Sequence, residues 1–339
     1  MIDILTNVSL KQYNSFGIDA IASYFIELKT DKDIQEYLLA YNTLVKPIYY
    51  VGSGANTIFT KNFKGTIVHV NTKGIEIIEE NNEFVYIKVK AGEIWDEFVN
   101  YCVKNNYFGM ENLVAIPGKV GATPIQNIGA YGVEAKDVIE SVYFYNLEEK
   151  NHKIISNEFC DFSYRNSIFK NQLKDKVLIT DVIYKLNKKA SYKLDYGSIN
   201  ETLKSKNILN PSLKDITSLI RDIRGSKLPD ISIIGNAGSF FKNPIITIKE
   251  FEKLKKEFPN IVSYPINSKL IKVAAGWLID NAGLKSFQIG GAAVHNQQAL
   301  VIINKENASG EDVVKLSKHI QNQILKIYNI PLSPEVIFV

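Results

Sequence analysis

A long glycine-rich loop constrains the fold of this chain more than any other feature. Residues 112–134 read NLVAIPGKVGATPIQNIGAYGVE and include Gly118, Gly121, Gly129 and Gly132 together with two prolines. Polar residues are few, and the apolar residues follow neither the period of a helix nor that of a strand. The segment is therefore predicted to be a compact loop, shaped by glycine turns and held by apolar anchors.

A second glycine turn comes earlier in the chain. Residues 48–59 read IYYVGSGANTIF, an apolar strand that runs into the turn Gly52–Asn56 and then into a second apolar run. Glycines allow successive backbone N–H groups to converge on an anion such as phosphate, although a simple hairpin turn has the same composition. Two glycine loops could close on a pyrophosphate and a flat ring, with the amides of Gln126 and Asn127 at the ring edge. A purely structural loop is the alternative.

The remaining pattern predicts an α+β protein. Strands are expected at 22–29, 48–59, 66–70, 84–91, 138–147, 177–187 and 335–339, and helices near 31–44, 93–106, 212–224, 247–257 and 311–328. Residues 188–200 form a polar, tyrosine-bearing insertion, and Pro229 suggests a boundary near 225–230. Regular βαβ units and a GxGxxG at a strand–helix turn are both missing, which disfavours a Rossmann domain.

Charge and composition exclude several classes of protein. The 339 residues include 40 basic and 36 acidic side chains, a net charge of +4 that is too balanced for a nucleic-acid binder. No run of about 20 apolar residues could cross a membrane, and the first thirty residues contain no signal sequence. Cys102 and Cys160 are far apart, which favours a reducing, cytoplasmic location. The four histidines lack metal-ligand spacing, so no metal is expected.

Three polar motifs are candidates for chemistry. Arg165 is one of only three arginines and lies between aromatic and hydroxyl residues in FSYRNS, a setting suited to a fixed cation that orients a carboxylate or flavin edge. Ser239 lies in GNAGSFFKNP without a GxSxG or a His–Asp set, so proton donation is a more natural role than nucleophilic attack. Glu335 precedes a terminal apolar run, where burial would make a carboxylic acid useful. A surface arginine, a turn serine and an exposed acid are the plain alternatives.

The order of these motifs resembles the UDP-N-acetylenolpyruvoylglucosamine reductase family, also called UDP-N-acetylmuramate dehydrogenases. The resemblance covers nearly the whole chain, from NSFG at 14–17 to PEV at 334–336, and its strongest segments are 116–134, 162–170, 235–244, 274–285 and 289–304. It implies an FAD-binding α+β fold of the vanillyl-alcohol-oxidase (PCMH) type with a C-terminal α+β substrate domain. It also implies the reduction of UDP-N-acetylglucosamine enolpyruvate to UDP-N-acetylmuramate for peptidoglycan synthesis, with FAD and NADPH as cofactors.

The resemblance assigns roles residue by residue. Arg165 and Glu335 are implied to polarise the substrate carboxylate, and Ser239 to donate the proton. Tyr196, in YKLDYGS, resembles the substrate-capping loop of the longer family type. The implied UDP-sugar contacts are Lys227, Asn243, Lys285 and Gln298. The implied FAD contacts are Gly52, Ser53, Gly54, Ala55, Asn56, Ile116, Pro117, Gly118, Gly121, Ala122, Thr123, Gln126, Asn127, Gly129 and Gly132.

Three domains follow from the resemblance. Residues 1–72 form a first FAD-binding subdomain, to which the strand 330–339 could return; residues 73–226 form a second, and residues 227–329 bind substrate. The chain is expected to be a cytoplasmic monomer that binds a UDP-sugar and NADPH, without nucleic acid or membrane. Ala55 and Ser333 depart from the family pattern, and Ala55 removes one hydroxyl contact to FAD phosphate. Another flavin enzyme of this fold, such as an oxidase of small alcohols, and a non-enzymatic sugar-nucleotide binder remain as alternatives.

Overall fold

The computed structural model describes residues 2–197 and 199–339. They form two compact units, each assembled from three stretches of chain. The first unit contains Met1–Val8, Ser23–Ser53 and Lys64–Ser226, and the second contains Ser9–Ala22, Gly54–Phe63 and Lys227–Val339. The chain thus passes to the second unit for the last time at Lys227. The division into three domains stays a prediction.

A five-stranded antiparallel sheet forms the centre of the first unit. Its spatial order is Asn151–Ser156, Ile139–Asn146, Val177–Asn187, Phe84–Lys90 and Ile75–Glu80. The middle strand, VLITDVIYKLN, is buried along nearly its whole length, as expected for a strand with neighbours on both sides and layers on both faces. Helix Trp95–Lys104 packs on this sheet through the ring of Phe98, whose centroid lies 4.9 Å from that of Tyr184.

A four-stranded sheet lies mostly in the first unit. Its order is Leu5–Ser9, Ile21–Leu28, Phe63–Val70 and Ile48–Val51, and the last two strands run parallel. Helix Asp31–Ala40 begins where Thr30 accepts a hydrogen bond from the backbone N–H of Asp33 and the Asp33 side chain accepts one from Thr30 N, a reciprocal capping box. The unit also contains helices Ile199–Ser205 and Leu213–Lys227, of which the latter ends at the first residue of the second unit.

Two small sheets and three helices make up most of the second unit. The four-stranded sheet has the order Asn236–Ser239, Val301–Asn304, Ala292–Val294 and Gln288–Ile289, and the three-stranded sheet has the order Ile245–Thr247, Leu270–Val273 and Ser263–Pro265. The helices are Ile248–Glu257, Ala275–Asn281 and Gly310–Tyr328. Near the chain end, Ile337–Phe338 pairs in parallel with Thr57–Ile58. This pairing joins stretches that are far apart in the sequence.

The predicted helices are all confirmed, with ends that differ by a few residues. The terminal strand is shorter than predicted, because only Ile337–Phe338 forms a ladder. Helices Ile199–Ser205 and Ala275–Asn281, strand Leu5–Ser9 and the strands between Asn236 and Asn304 were not predicted. Two strands of the five-stranded sheet, Ile75–Glu80 and Asn151–Ser156, were not predicted either. Both of these are sheet edges without a buried side chain, and so their hydrophobic pattern is weak. Among the described residues, no helix is long and apolar enough to cross a membrane.

Candidate functional site

The glycine turn at residues 52–56 is held closely by backbone on one side. Gly54 has φ +62°, and a Cβ at this position would lie 2.0 Å from the carbonyl oxygen of Tyr13 and 2.7 Å from Cα of Asn14. The Gly54 carbonyl accepts hydrogen bonds from the N–H groups of Ser15 and Thr57, both at 3.3 Å. Glycine is therefore required here both by conformation and by space. Gly52, Ser53, Ala55 and Asn56 are half-buried.

The loop at 116–132 lies against the central sheet of the first unit. The Gly121 N–H donates to the carbonyl of Ala91 at 2.8 Å, and a Cβ on Gly121 would lie 2.7 Å from that of Ala91. The buried hydroxyl of Thr123 lies 2.7 Å from the Tyr184 hydroxyl. Gly118, in contrast, has φ +142° with no atom within 4 Å of an added Cβ. One side of the loop is thus packed, while open space adjoins Gly118.

Exposure varies among the other predicted FAD contacts of this loop. Half-buried positions are Ile116, Gln126 and Gly129, whereas Pro117, Ala122 and Gly132 are exposed. Asn127 is fully buried. Its amide nitrogen donates to the Glu134 carboxylate at 2.8 Å, and its side-chain oxygen accepts from the Lys136 N–H at 2.9 Å. The Asn127 side chain is therefore occupied by partners within the protein.

Arg165 is held in a defined position by the same loop. The residue has φ +55°, and its guanidinium donates to the Gly129 carbonyl at 3.0 Å. A Cβ on Gly129 would lie 3.4 Å from Nη1 of Arg165. The absence of a side chain at position 129 therefore leaves space for the guanidinium. The Arg165 guanidinium carbon also lies 5.6 Å from the centroid of the Tyr164 ring. A left-handed backbone at a non-glycine residue is a conformation that the surroundings must stabilise.

The other two arginines differ sharply from each other. Arg221 forms a two-pronged ion pair with Asp96, with N–O distances of 2.8 and 3.0 Å. Nε of Arg224 is buried, and within residues 2–197 and 199–339 it has no hydrogen-bond partner. Burial lowers the pKa of Arg224, as does Arg165, whereas Tyr131 and Asp96 raise it. Arg224 thus adds a second, half-buried cation near Arg165. Sequence analysis gave Arg224 no role, although the scarcity of arginine was the available signal.

Tyr196 lies beside the second half of the glycine loop. Its ring meets that of Tyr131 edge to face, with centroids 6.1 Å apart, and a Cβ on Gly132 would lie 3.3 Å from that of Tyr196. The side chain is 46% exposed. The predicted capping residue is therefore in contact with the predicted FAD loop while presenting much of its surface to solvent. Ser198, the last residue of the YKLDYGS motif, lies outside the described residues.

In the second unit, the structure brings Ser239 and Glu335 together. The Glu335 N–H donates to the carbonyl of Phe240, the residue after Ser239, at 2.8 Å, and Phe241 forms a bridge with Pro334. The carbonyl of Glu335 in turn accepts from the Asn56 amide at 3.0 Å. Ser239 and Glu335 are both half-buried. Glu335 is thus hydrogen-bonded both to the residue that follows Ser239 and to a predicted FAD contact, Asn56.

Two predicted UDP-sugar contacts meet at the start of helix Ala275–Asn281. The side-chain oxygen of Asn243 accepts from the Ala275 N–H at 2.9 Å, and Oε1 of Gln298 lies 3.4 Å from the position of a Cβ on Gly276. Lys285 forms an ion pair of 2.6 Å with Asp280 in the same helix. These three residues are half-buried, whereas Lys227 is exposed.

Comparison with known proteins gives a consistent result over the whole chain. Residues 229–339 match the family model for the C-terminal domain of UDP-N-acetylenolpyruvoylglucosamine reductase, and residues 22–149 match the model for an FAD binding domain. A UDP-N-acetylenolpyruvoylglucosamine reductase of Flavobacterium johnsoniae is 43% identical over 336 residues, which is 98% of this chain and 99% of the relative. One of Bacteroides fragilis is 41% identical over 331 residues, 98% of each chain. The crystal structure of the Thermus caldophilus reductase matches with a TM-score of 0.69 at 20% identity, covering 100% of this chain and 98% of that one.

Proposed function

Because the chain belongs to the UDP-N-acetylenolpyruvoylglucosamine reductase family, we propose that it reduces UDP-N-acetylglucosamine enolpyruvate to UDP-N-acetylmuramate, with FAD and NADPH, in peptidoglycan precursor synthesis. The observation that carries this proposal is the similarity to these reductases along nearly the full length of the chain. The fold is the α+β FAD-binding fold of the vanillyl-alcohol-oxidase type, with a C-terminal α+β domain.

The residues of the two glycine loops fit a dinucleotide cofactor. Gly54 allows the backbone to turn at a point where a side chain has no space, and Gly118 borders open space. Ala55 supplies no hydroxyl, but backbone N–H groups can bind a phosphate without one. When bound, FAD supplies the redox chemistry that connects NADPH with the enolpyruvyl double bond.

Arg165 is proposed to stabilise the charge that develops on the substrate. Delivery of a hydride to the β-carbon of the enolpyruvyl group places a pair of electrons on the α-carbon, from which negative charge spreads into the carboxylate. A guanidinium held by the Gly129 carbonyl offers a planar pair of donors to that carboxylate. Glu335, if it carries a proton, adds one hydrogen bond to the same group.

Ser239 is proposed to donate the proton that completes the reduction. Its hydroxyl proton passes to the α-carbon, the C=C bond becomes a single bond, and the serine oxygen recovers a proton from solvent. A hydroxyl is a weak acid in water, but the acceptor is a strongly basic enolate at contact distance. The position of Ser239 in a strand, beside the bonded pair Phe240 and Glu335, supports a fixed direction for this hydroxyl.

The remaining parts of the proposal concern substrate binding, cellular location and oligomeric state. Tyr196 caps the substrate, as in the longer family type, and the UDP-sugar contacts are Lys227, Asn243, Lys285 and Gln298. We further propose that the protein is a cytoplasmic monomer that does not bind nucleic acid. The balanced charge and the family membership support this setting.

Absorbance spectra of the purified protein test the function. The protein should be yellow, with the flavin absorbance band at about 450 nm that is characteristic of an FAD enzyme. Anaerobic addition of NADPH should remove this band, and addition of the enolpyruvyl substrate should restore it. A colourless protein that takes up no FAD would refute the proposal in favour of a sugar-nucleotide binder. A flavin that NADPH leaves oxidised but a small alcohol reduces would favour the oxidase.

A further inference from the structure

A buried lysine lies in the glycine loop of the first unit and has no part in the proposed chemistry. Lys119 is only 8% exposed. Its Nζ lies 2.7 Å from the side-chain oxygen of Asn71, 3.1 Å from the carbonyl oxygen of Val70 and 3.1 Å from Nε2 of His69. An ammonium has three N–H donors and no acceptor. All three donors are therefore used within the protein, and the ammonium has none left for a phosphate.

Two partners of Lys119 have a shared polar neighbour on their far side, the Glu27 carboxylate. Because the ammonium can only donate, Nε2 of His69 must accept, and the ring proton lies on Nδ1, which is 3.4 Å from the Glu27 carboxylate. Burial, and then Lys119 itself, lowers the pKa of His69 to about 4, so the imidazole is neutral at pH 7. The Asn71 amide nitrogen donates to the same Glu27 oxygen at 2.9 Å. The orientations of His69 and Asn71 are thus both set by Lys119 on one side and Glu27 on the other.

The stem of Lys119 reaches the other glycine loop. A Cβ built on Gly52 would lie 3.4, 3.5 and 3.6 Å from Cβ, Cγ and Cδ of Lys119, so three successive stem carbons run alongside the backbone of Gly52. The Lys119 carbonyl accepts from the Ala122 N–H at 3.0 Å within the second loop. One side chain therefore connects the loop at 116–132, the first residues of the turn at 52–56 and the end of strand Phe63–Val70.

We propose that Lys119 is a positioning residue for FAD, whose side chain fixes the separation of the two glycine loops without touching the cofactor. The proposal rests on the proposed function, which places FAD at these loops. A buried charge is costly unless its hydrogen bonds are complete, and completeness here requires that His69, Val70 and Asn71 keep their places. The stem then packs against Gly52 at a fixed distance. The anchored ammonium thus holds the loops in the arrangement that FAD needs before FAD arrives, which lowers the ordering cost of binding.

The test is the affinity of the FAD-free protein for FAD, measured by quenching of FAD fluorescence. Lys119→Met keeps an unbranched stem against Gly52 and removes the ammonium. The Kd for FAD should rise at least about tenfold, which corresponds to about 1.4 kcal/mol. The matched control is Lys73→Met, because Lys73 is half-exposed and pairs with Glu93 at 3.4 Å on the surface. Its Kd should stay within about twofold of the parent. A Lys119→Met protein that melts earlier but binds FAD with the parental Kd would show a merely structural lysine and overturn the proposal.

The dependence of the Kd on pH gives a second readout that needs no variant at position 119. Burial, and then Lys73, lowers the pKa of Lys119 to about 8, so raising the pH through 8 removes one of the three N–H donors and should weaken FAD binding. The charged or titratable groups around this ammonium are Glu27, Lys29, His69, Lys73 and Glu93. Lys73→Met removes a charge that lowers the pKa of Lys119, so its profile should keep its shape but move to higher pH. A Kd that is constant through this pH range would overturn the proposal. If the parent protein binds no FAD at all, the proposed function itself fails.

Discussion

Replacement of Gly54 by alanine should destabilise the second unit by more than its unusual backbone angle explains. The left-handed conformation costs an ordinary residue about 1–2 kcal/mol. A methyl group at position 54 would also lie 2.0 Å from the carbonyl oxygen of Tyr13, and this backbone atom cannot rotate away. Such overpacking adds about 1–3 kcal/mol. Gly54→Ala should therefore lower the free energy of unfolding by about 2–5 kcal/mol.

Gly283→Ala is the matched control in the same unit. Gly283 has φ +71°, close to the +62° of Gly54, but no atom lies within 4 Å of an added Cβ. This variant should lose only the conformational part, about 1–2 kcal/mol, while the effect of the added methyl on the unfolded chain is common to both. Urea unfolding of the FAD-free proteins, followed by circular dichroism, gives the difference. Equal losses for the two variants would refute the steric reasoning.

Three further substitutions separate the steps of the proposed reaction. Arg165→Lys should retain FAD and its reduction by NADPH but slow reoxidation by the enolpyruvyl substrate about a hundredfold, since a lysine lacks the planar pair of donors; parental turnover would remove Arg165 from the mechanism. Ser239→Ala should also be reduced by NADPH at a near-normal rate, while stopped-flow reoxidation by substrate slows at least about a hundredfold; an unchanged rate would leave Ser239 as a turn residue. Tyr196→Phe should raise the Kd for the UDP-sugar without slowing flavin reduction, and equal loss in both half-reactions would contradict the capping role.

Local signals in the sequence predicted the longest helices and strands well. Helix Asp31–Ala40 begins at a capping box formed by Thr30 and Asp33, two residue types that favour a helix start. The central strand Val177–Asn187 consists mainly of apolar residues. The edge strand Asn151–Ser156 could not be predicted, because its pairing with Ile139–Asn146 comes from backbone hydrogen bonds and none of its side chains is buried. A strand that is held mainly by backbone pairing with a neighbour has a weak hydrophobic pattern in its own sequence.

The candidate site was predictable in its residue types but not in its internal bonds. Asn127 was expected to face a ligand, yet its amide is buried between Glu134 and Lys136. Sequence analysis gave Lys119 no role, and its buried position depends on His69 and Asn71, which are 50 and 48 positions away in the sequence. Burial of a polar side chain is a property of the tertiary structure, and a single sequence does not contain it.

The assembly of the second unit from three stretches affects how the chain can fold. Ser9–Ala22 and Gly54–Phe63 belong to the same compact unit as Lys227–Val339, and the bond from Asn304 to the Phe16 carbonyl, at 2.9 Å, spans 288 positions in sequence. During synthesis, the two early stretches lack their native partners in Lys227–Val339 until the last third of the chain has been made. The closure of such long loops is an entropic cost that precedes the gain from contacts, so the folding of this unit should be slow. Asn56 and Glu335 therefore come together among the late events of folding.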